Sequence, residues 1–395
     1  MKSIKSFKVK NKRVLVRVDF NVPLDKKGNI TDDKKIKAVI PTLKHLIKNN
    51  AMIILMSHLG RPKGRIDEKL RMDKPAKKLS KLIKQPVYYV DDCMGNDVEN
   101  FIDDMVPGEI LVLENLRFYK EEKENNKRFA MSLSELADIY VNDAFAASHR
   151  AHASMEAITD YLPSAAGFLL KKEIDSIKKI ITKPKKPFVA VMGGAKVSDK
   201  IELIKKLLKK VDKIMIGGAM MFTFYKAQGL ETGKSLVEKD KLKLAKDILK
   251  RSKDKIILPV DTLVASKIDK SAKKTKNVDV KDIPKNMAGA DIGKETIKKY
   301  KEIISGAKTI IWNGPMGVFE IPRFAKGTKE IAKNIADSKA VSLVGGGESA
   351  AAVDKLKLQK KFNHVSTAGG AFLEFLEGKK LPAIKALEKN QKRFK

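Results

Sequence analysis

The sequence predicts two α/β domains, each built on a parallel β-sheet with helices on both faces. Three observations carry this. Apolar runs of four to six residues recur along the chain. Longer stretches with helical spacing separate them, and strand–helix alternation is the pattern of parallel sheets. The rhythm then restarts after Lys183-Pro184-Lys185-Lys186-Pro187, where prolines stop a helix and stiffen the crossing.

In chain order, Val14–Val18, Met52–Met56, Ile110–Leu113 and Ile139–Val141 read as buried strands of a first domain, residues 1–170. Lys35–Lys48 and Asp73–Lys84 read as its amphipathic helices. Residues 171–187 hold a connecting helix and the hinge. In residues 188–370 the expected strands are Phe188–Met192, Ile214–Ile216, Ile256–Val260, Thr309–Trp312, Val341–Val344 and His364–Ala368. Ser198 is expected to cap a helix carrying Ile201, Ile204, Leu207, Leu208 and Val211 at helical spacing. The two halves share a rhythm but no fixed-period repeat.

Composition narrows the function. The 395 residues include 82 basic and 48 acidic ones, a net charge of +34. Such charge is the footprint of a nucleic-acid binder. Here, however, 71 of the basic residues are lysines spread from Lys2 to Lys395, without the aromatic interleaving that stacks single strands. A solvated lysine coat accounts for them, so no specific nucleic-acid partner is expected. Cys93 is the only cysteine, which excludes an intrachain disulfide and a multi-thiolate zinc site. Apolar runs such as Ala51–Met56 are far too short to span a membrane. The first apolar run is broken by Arg17 and Asp19, unlike a signal-peptide core. A cytoplasmic protein without a membrane partner is expected.

Ligands of open parallel sheets bind beyond the carboxyl ends of the strands. In the first half those ends carry charge and donors: Asp19 and Asn21, then Ser57, His58 and Arg61, then Glu114, Asn115 and Arg117, and finally Asn142, Asp143, His149, Arg150 and His152. Only eleven arginines occur, and several stand at these ends. Arginine grips phosphate or carboxylate as a planar fork, which lysine cannot do, so the pattern points to an anion site. In the second half the ends carry glycine: Gly193-Gly194, Gly217-Gly218, Gly314 and Gly317, Gly345-Gly346-Gly347, and Gly369-Gly370, which are eleven of 24 glycines. Glycines before helix starts let phosphate approach the backbone, so a nucleotide site is expected.

Two decoys are set aside. Gly229-Leu230-Glu231-Thr232-Gly233-Lys234-Ser235 has the wrong glycine spacing for a P-loop. His149 and His152 lack clustered partners for a metal. What remains is a kinase-like pair of domains that close over two phosphate-bearing ligands.

At these residues the sequence strongly resembles the phosphoglycerate kinase family. The matching stretches include Val16-Arg17-Val18-Asp19-Phe20-Asn21-Val22-Pro23, Ser57-His58-Leu59-Gly60-Arg61-Pro62, Leu113-Glu114-Asn115-Leu116-Arg117-Phe118, Gly193-Gly194-Ala195-Lys196-Val197-Ser198-Asp199-Lys200 and Trp312-Asn313-Gly314-Pro315-Met316-Gly317. The resemblance runs through essentially the whole chain. It implies two Rossmann-like domains joined by an interdomain helix, with a cleft between them. It also implies that residues 371–395 return to the first domain.

The implied reaction is phosphoryl transfer between 1,3-bisphosphoglycerate with ADP and 3-phosphoglycerate with ATP, in a monomer using Mg2+ with the nucleotide. The resemblance assigns phosphoglycerate binding to Asp19, Asn21, His58, Arg61, Arg117 and Arg150. It assigns the nucleotide to Gly194, Ala195, Lys196, Lys200, Gly217, Gly218, Gly289, Asn313, Glu320, Gly345, Gly346, Gly347, Glu348 and Ser349. Lys35, Lys196 and Lys200 take the catalytic roles, and Glu348 the metal. The nucleophile is already ionised, so alignment and charge neutralisation suffice.

Three positions depart from the family pattern. Lys35 stands where the family has an arginine, Glu348 where it has an aspartate, and Ala368 where it has a glycine. Two other readings stand beside an active kinase, the first from these departures and the second from the charge. One is a family member that binds its ligands but turns over poorly. The other is a basic nucleic-acid-binding α/β protein.

Overall fold

The computed structural model describes residues 1–272 and 274–394, which form two compact units. The first unit is Met1–Asp175 with Lys379–Lys395, and the second is Ser176–Gly378. The helix Phe168–Thr182 runs from one into the other.

The sheet of the first unit contains β1 (Arg13–Arg17), β2 (Met52–Met56), β3 (Tyr88–Tyr89), β4 (Ile110–Val112), β5 (Ile139–Asn142) and β6 (Ser164–Ala166). Their order is β3-β4-β2-β1-β5-β6, and every pair is parallel. The four apolar runs read as strands are all present, displaced by at most a residue. β3 and β6 were not read: one is two residues long, the other small and weakly apolar. The central strands are buried on both faces, as Val14 to Val18 and Ile53 to Met56 show, so their sequence is continuously apolar rather than alternating. The helices Lys34–Lys48 and Asp73–Ile83 cover the sheet through Val39, Leu43, Leu46, Ala76 and Leu79.

The last helix, Pro382–Arg393, belongs to this unit. Asn390 is buried in it and donates to the carbonyls of Thr159 (2.6 Å) and Leu162 (2.8 Å) while accepting from the Ser164 N–H at 2.9 Å. The return to the first unit starts at residue 379, not 371. The helix Gly370–Leu376 stays behind because Phe372 packs against the Gly345 backbone of the second unit.

The second unit has a parallel sheet of β7 (Phe188–Met192), β8 (Lys213–Ile216), β9 (Ile256–Ile257), β13 (Thr309–Asn313), β14 (Val341–Gly345) and β15 (His364–Val365), in the order β15-β14-β13-β7-β8-β9. The runs Ile256–Val260 and His364–Ala368 yield only two strand residues each; Pro259 interrupts the first. A small antiparallel sheet, β11-β10-β12, was not read from the sequence. Its strands are β10 (Asp261–Ala265), β11 (Thr275–Asp279) and β12 (Ala288–Ile292). The helix Ile201–Leu208 forms with the expected buried face, but Ser198 does not cap it. Ser198 instead donates through both its N–H and its hydroxyl to the Glu238 carboxylate.

Candidate functional site

The carboxyl ends of β1, β2, β4 and β5 gather the charged residues of the first unit. Asp19 is buried after β1 and accepts from Lys35 Nζ at 2.8 Å and from the Asn21 N–H at 3.0 Å. Asn21 uses its side-chain oxygen to accept from the Gly60 N–H at 2.9 Å, tying the β1 loop to the β2 loop. Arg117 is buried after β4 and donates through NH1 to the Gly60 carbonyl at 2.8 Å. Among the described residues its Nε is buried without a partner. Burial, with Arg17 and Arg150 nearby, pushes its guanidinium down to about 10. Arg61 and Arg150 are exposed, and Arg150 Nε lies 3.3 Å from His149 Nε2. Ser57 and Asn115 do structural work. Ser57 accepts from the Phe20 N–H and donates to the Val18 carbonyl, and Asn115 bridges the Leu59 and Leu70 carbonyls.

Behind these residues stands a buried group that no strand-end pattern in the sequence marks. Arg17, at the end of β1, is wholly buried, and so is Glu122. Arg17 donates to Ser154 Oγ at 2.9 Å and reaches His58 Nδ1 at 3.0 Å. Glu122 accepts from Ser154 Oγ at 2.6 Å, and His152 Nδ1 lies 3.7 Å from it. Burial alone would raise the Glu122 carboxyl, but His152, Arg17 and Ser154 outweigh it and hold it below the usual range. One signal was available: an arginine inside an apolar strand of a lysine-rich chain.

In the second unit the expected glycines divide into two kinds. At β7, β8 and β13 they pack backbone on backbone. A Cβ on Gly193 would stand 2.0 Å from the Pro315 carbonyl, and one on Gly218 would stand 2.5 Å from Gly194. The N–H groups of Gly193, Gly194 and Gly218 donate to the carbonyls of Asn313, Pro315 and Met316. These glycines build the floor rather than offering donors to phosphate. The group after β14 differs. Gly346, at φ +95°, precedes the helix Gly347–Lys355, whose start has no side-chain cap and whose Gly347 is open. The first N–H groups of such a helix lack intrahelical partners. Ser349 is buried there and accepts from the Gly314 N–H at 2.6 Å.

A pocket beside this helix is lined by Gly194, Ala195, Gly218, Gly289, Glu320 and Glu348, with Met221, Phe222, Met316 and Val318 as apolar wall. Gly289 is required there, because any Cβ would overlap the Phe222 ring. Its N–H donates to Ser235 Oγ at 2.9 Å, which gives the false P-loop a supporting role. Gly217 lies under the Met316 sulfur. Lys200 Nζ hydrogen-bonds Asn313 Oδ1, and Asn313 Nδ2 donates to the Gly345 carbonyl at 2.7 Å. Burial pushes the Lys200 ammonium below its ordinary value, while Glu348 and Asp199 pull the other way. Lys196 is exposed on the loop after β7. Asp291, unread in the sequence, lies buried beside the pocket; burial pushes its carboxyl up to about 7 against N–H bonds from Gly327 and Ile292.

Ala368 lies outside the positive-φ positions, so alanine is not strained there. Among the described residues no group of three His, Cys, Asp or Glu side chains is placed to hold a metal.

A family model described as phosphoglycerate kinase matches residues 4–379. The chain belongs to the phosphoglycerate kinase family. It is 53% identical over 384 residues to the phosphoglycerate kinase of Dictyoglomus turgidum, covering 96% of both chains. It is 51% identical over 394 residues to that of Pseudothermotoga lettingae, covering 99% of both. The solved phosphoglycerate kinase of Coxiella burnetii superposes with a TM-score of 0.88 at 41% identity, with 98% of each chain covered. That of Pyrococcus horikoshii gives the same TM-score at 35% identity over both full chains.

Proposed function

We propose that the chain is an active phosphoglycerate kinase of glycolysis, moving a phosphoryl group between 1,3-bisphosphoglycerate and ADP. The observation that carries this reading is Arg117. A buried guanidinium with an unpartnered Nε calls for an anionic ligand, and the neighbouring strand ends supply the rest of an anion site. In this reading Asp19, Asn21, His58, Arg61, Arg117 and Arg150 hold the phosphoglycerate. Lys35 neutralises charge on the transferring group.

The nucleotide base lies against Gly217, Gly218 and Gly289, the ribose at Glu320, and the phosphates at Lys196, Lys200, Gly194, Ala195 and the helix starting at Gly347. Asn313 holds Lys200 in place, and Ser349 holds the Gly314 turn. Mg2+ fits this donor set. It is bound by one or two carboxylates together with phosphate oxygens and water, and Glu348 is an exposed carboxylate on the pocket rim. When bound it neutralises phosphate charge.

We further propose a monomer in the cytoplasm. No helix among the described residues is long and apolar enough to cross a membrane. A relative from Volvox carteri is named as chloroplastic, so cell fractionation is the check on compartment.

The deciding experiment couples consumption of ATP and 3-phosphoglycerate to NADH oxidation. Turnover well above blank is expected. Binding of both ligands without turnover would establish the poorly active reading instead. Tight RNA binding at physiological salt that ATP does not displace would favour the nucleic-acid reading.

A further inference from the structure

Arg17 is fully buried, and each nitrogen of its guanidinium already donates to the protein. Nε bonds Ser154 Oγ at 2.9 Å, NH1 bonds the Val18 carbonyl, and NH2 lies 3.0 Å from His58 Nδ1. Glu122 backs this arrangement: its Oε1 stands 3.9 Å from NH2 and accepts a hydrogen bond from the Ser154 hydroxyl at 2.6 Å. Ser154 thus accepts from the arginine and donates to the carboxylate with one hydroxyl. In contrast to Arg117, Arg17 keeps no nitrogen unpartnered, so it is poorly placed to serve as a direct ligand.

A guanidinium has five N–H donors and no acceptor. The contact with His58 therefore has one sense: NH2 donates and Nδ1 accepts, which leaves the ring proton on Nε2. A second proton on Nδ1 would break this bond and set cation against cation. The groups facing the ring reinforce this. They are Arg17 from β1, Lys35 from the helix Lys34–Lys48, Arg117 from the turn after β4 and His152 from the segment after β5; burial and these charges hold the imidazole well below its ordinary value. The nearby carboxylates are already paired, Asp19 with Lys35 and Glu122 with Ser154. Among the described residues Nε2 has no protein partner and is not a sealed atom.

We propose that Arg17 is a positioning residue that fixes His58 as the uncharged Nε2–H form, so that the ring meets the substrate only as a hydrogen-bond donor. The proposal rests on His58 being a phosphoglycerate ligand, as argued above. Glu122 and Ser154 hold the guanidinium that does the fixing.

The first test is the tautomer itself. The full chain, labelled with 15N-histidine, is followed by long-range 1H–15N correlation through the ordinary imidazole value of about 6.5. The His58 signals are assigned from their loss in His58→Gln. One uncharged Nε2–H form throughout is expected. An Nδ1–H form, or titration near the ordinary value, would overturn the proposal.

The second test is a double-mutant cycle on the KM for 3-phosphoglycerate. Arg17→Met should raise that KM roughly tenfold and leave the KM for ATP unchanged. In a His58→Gln background it should add less than about twofold. Full additivity would make Arg17 a ligand in its own right. Arg17→Lys should restore part of the loss, and it completes the cycle if Arg17→Met, which strands the buried Glu122, does not fold. Absent turnover with the expected tautomer would sink the kinase reading alone. Normal turnover with the wrong tautomer would sink this proposal alone.

Discussion

Lys35 Nζ sits 2.8 Å from Asp19 Oδ2, so the lysine at the family's arginine position is held by a carboxylate of the same site. Its neighbours Lys34 and Lys37 pair with Asp32 at 3.2 Å and Asp33 at 2.7 Å. The Lys35 ammonium keeps two further N–H donors beside the one given to Asp19, but as a point charge it lacks the planar fork with which a guanidinium grips a carboxylate and a phosphoryl oxygen together. Lys35→Arg is therefore expected to raise kcat, by on the order of tenfold, with little change in either KM. An unchanged kcat would clear Lys35 of limiting the rate.

Glu348 is an exposed carboxylate at the pocket, in the first turn of the uncapped helix. Magnesium tolerates little departure from octahedral geometry. Glu348→Gln should raise the Mg2+ concentration needed for half-maximal turnover by roughly tenfold, while the KM for 3-phosphoglycerate stays put. Identical Mg2+ titrations of the two proteins would remove Glu348 from metal binding.

Asp143 gives a stability prediction with a definite sign. It is fully buried, its Oδ1 accepts from the Leu170 N–H at 3.1 Å with Thr42 nearby, and among the described residues its Oδ2 has no hydrogen-bond partner. Burial pushes its carboxyl up to about 6. Folding then opposes ionisation: the unfolded chain holds fewer protons between about pH 4 and about pH 6, so the group destabilises the fold increasingly as pH rises through that window. Asp143→Asn keeps the acceptor and removes the charge. Its melting temperature should exceed that of the parent by a few degrees at about pH 7.5, and the gain should shrink by about pH 5. An equal gain at both values would refute the titration argument.

Ala368 replaces a family glycine at a position that does not need one. Ala368→Gly should leave kcat unchanged and cost about 0.4–1 kcal/mol through the freer unfolded chain. A faster enzyme after this change, measured in the same coupled assay, would show that the alanine restricts the nucleotide site.

What the sequence revealed followed burial and spacing. Continuous apolar runs such as Met52–Met56 read directly as strands because both faces of the sheet are covered. β11, at Thr275–Asp279, is almost wholly exposed and polar, so no apolar signal marks it. Among candidate site residues, Asp19 and Arg117 stand out because they follow strands, and Lys200 through the family resemblance. Glu122 and Asp291 do not. Glu122 is made a site residue by Ser154, 32 positions away, and Asp291 by Gly327, 36 positions away. The glycine clusters were visible, but only the backbone distinguishes Gly193, which packs, from Gly347, which is open.

Asn390 fixes the last helix onto Thr159, Leu162 and Ser164. Viewed along the path of synthesis, the second unit is an insertion inside the first. The ribosome makes the strands of the first unit early, then spends about 10–40 s on the roughly 200 residues of the second before the closing helix emerges. Chains stalled before Pro382 should therefore remain protease-sensitive in the first unit while the second is already protected. The N-terminal half is made first and finished last, and the β6 edge that Asn390 closes at Ser164 is the surface a chaperone would have to cover in the meantime.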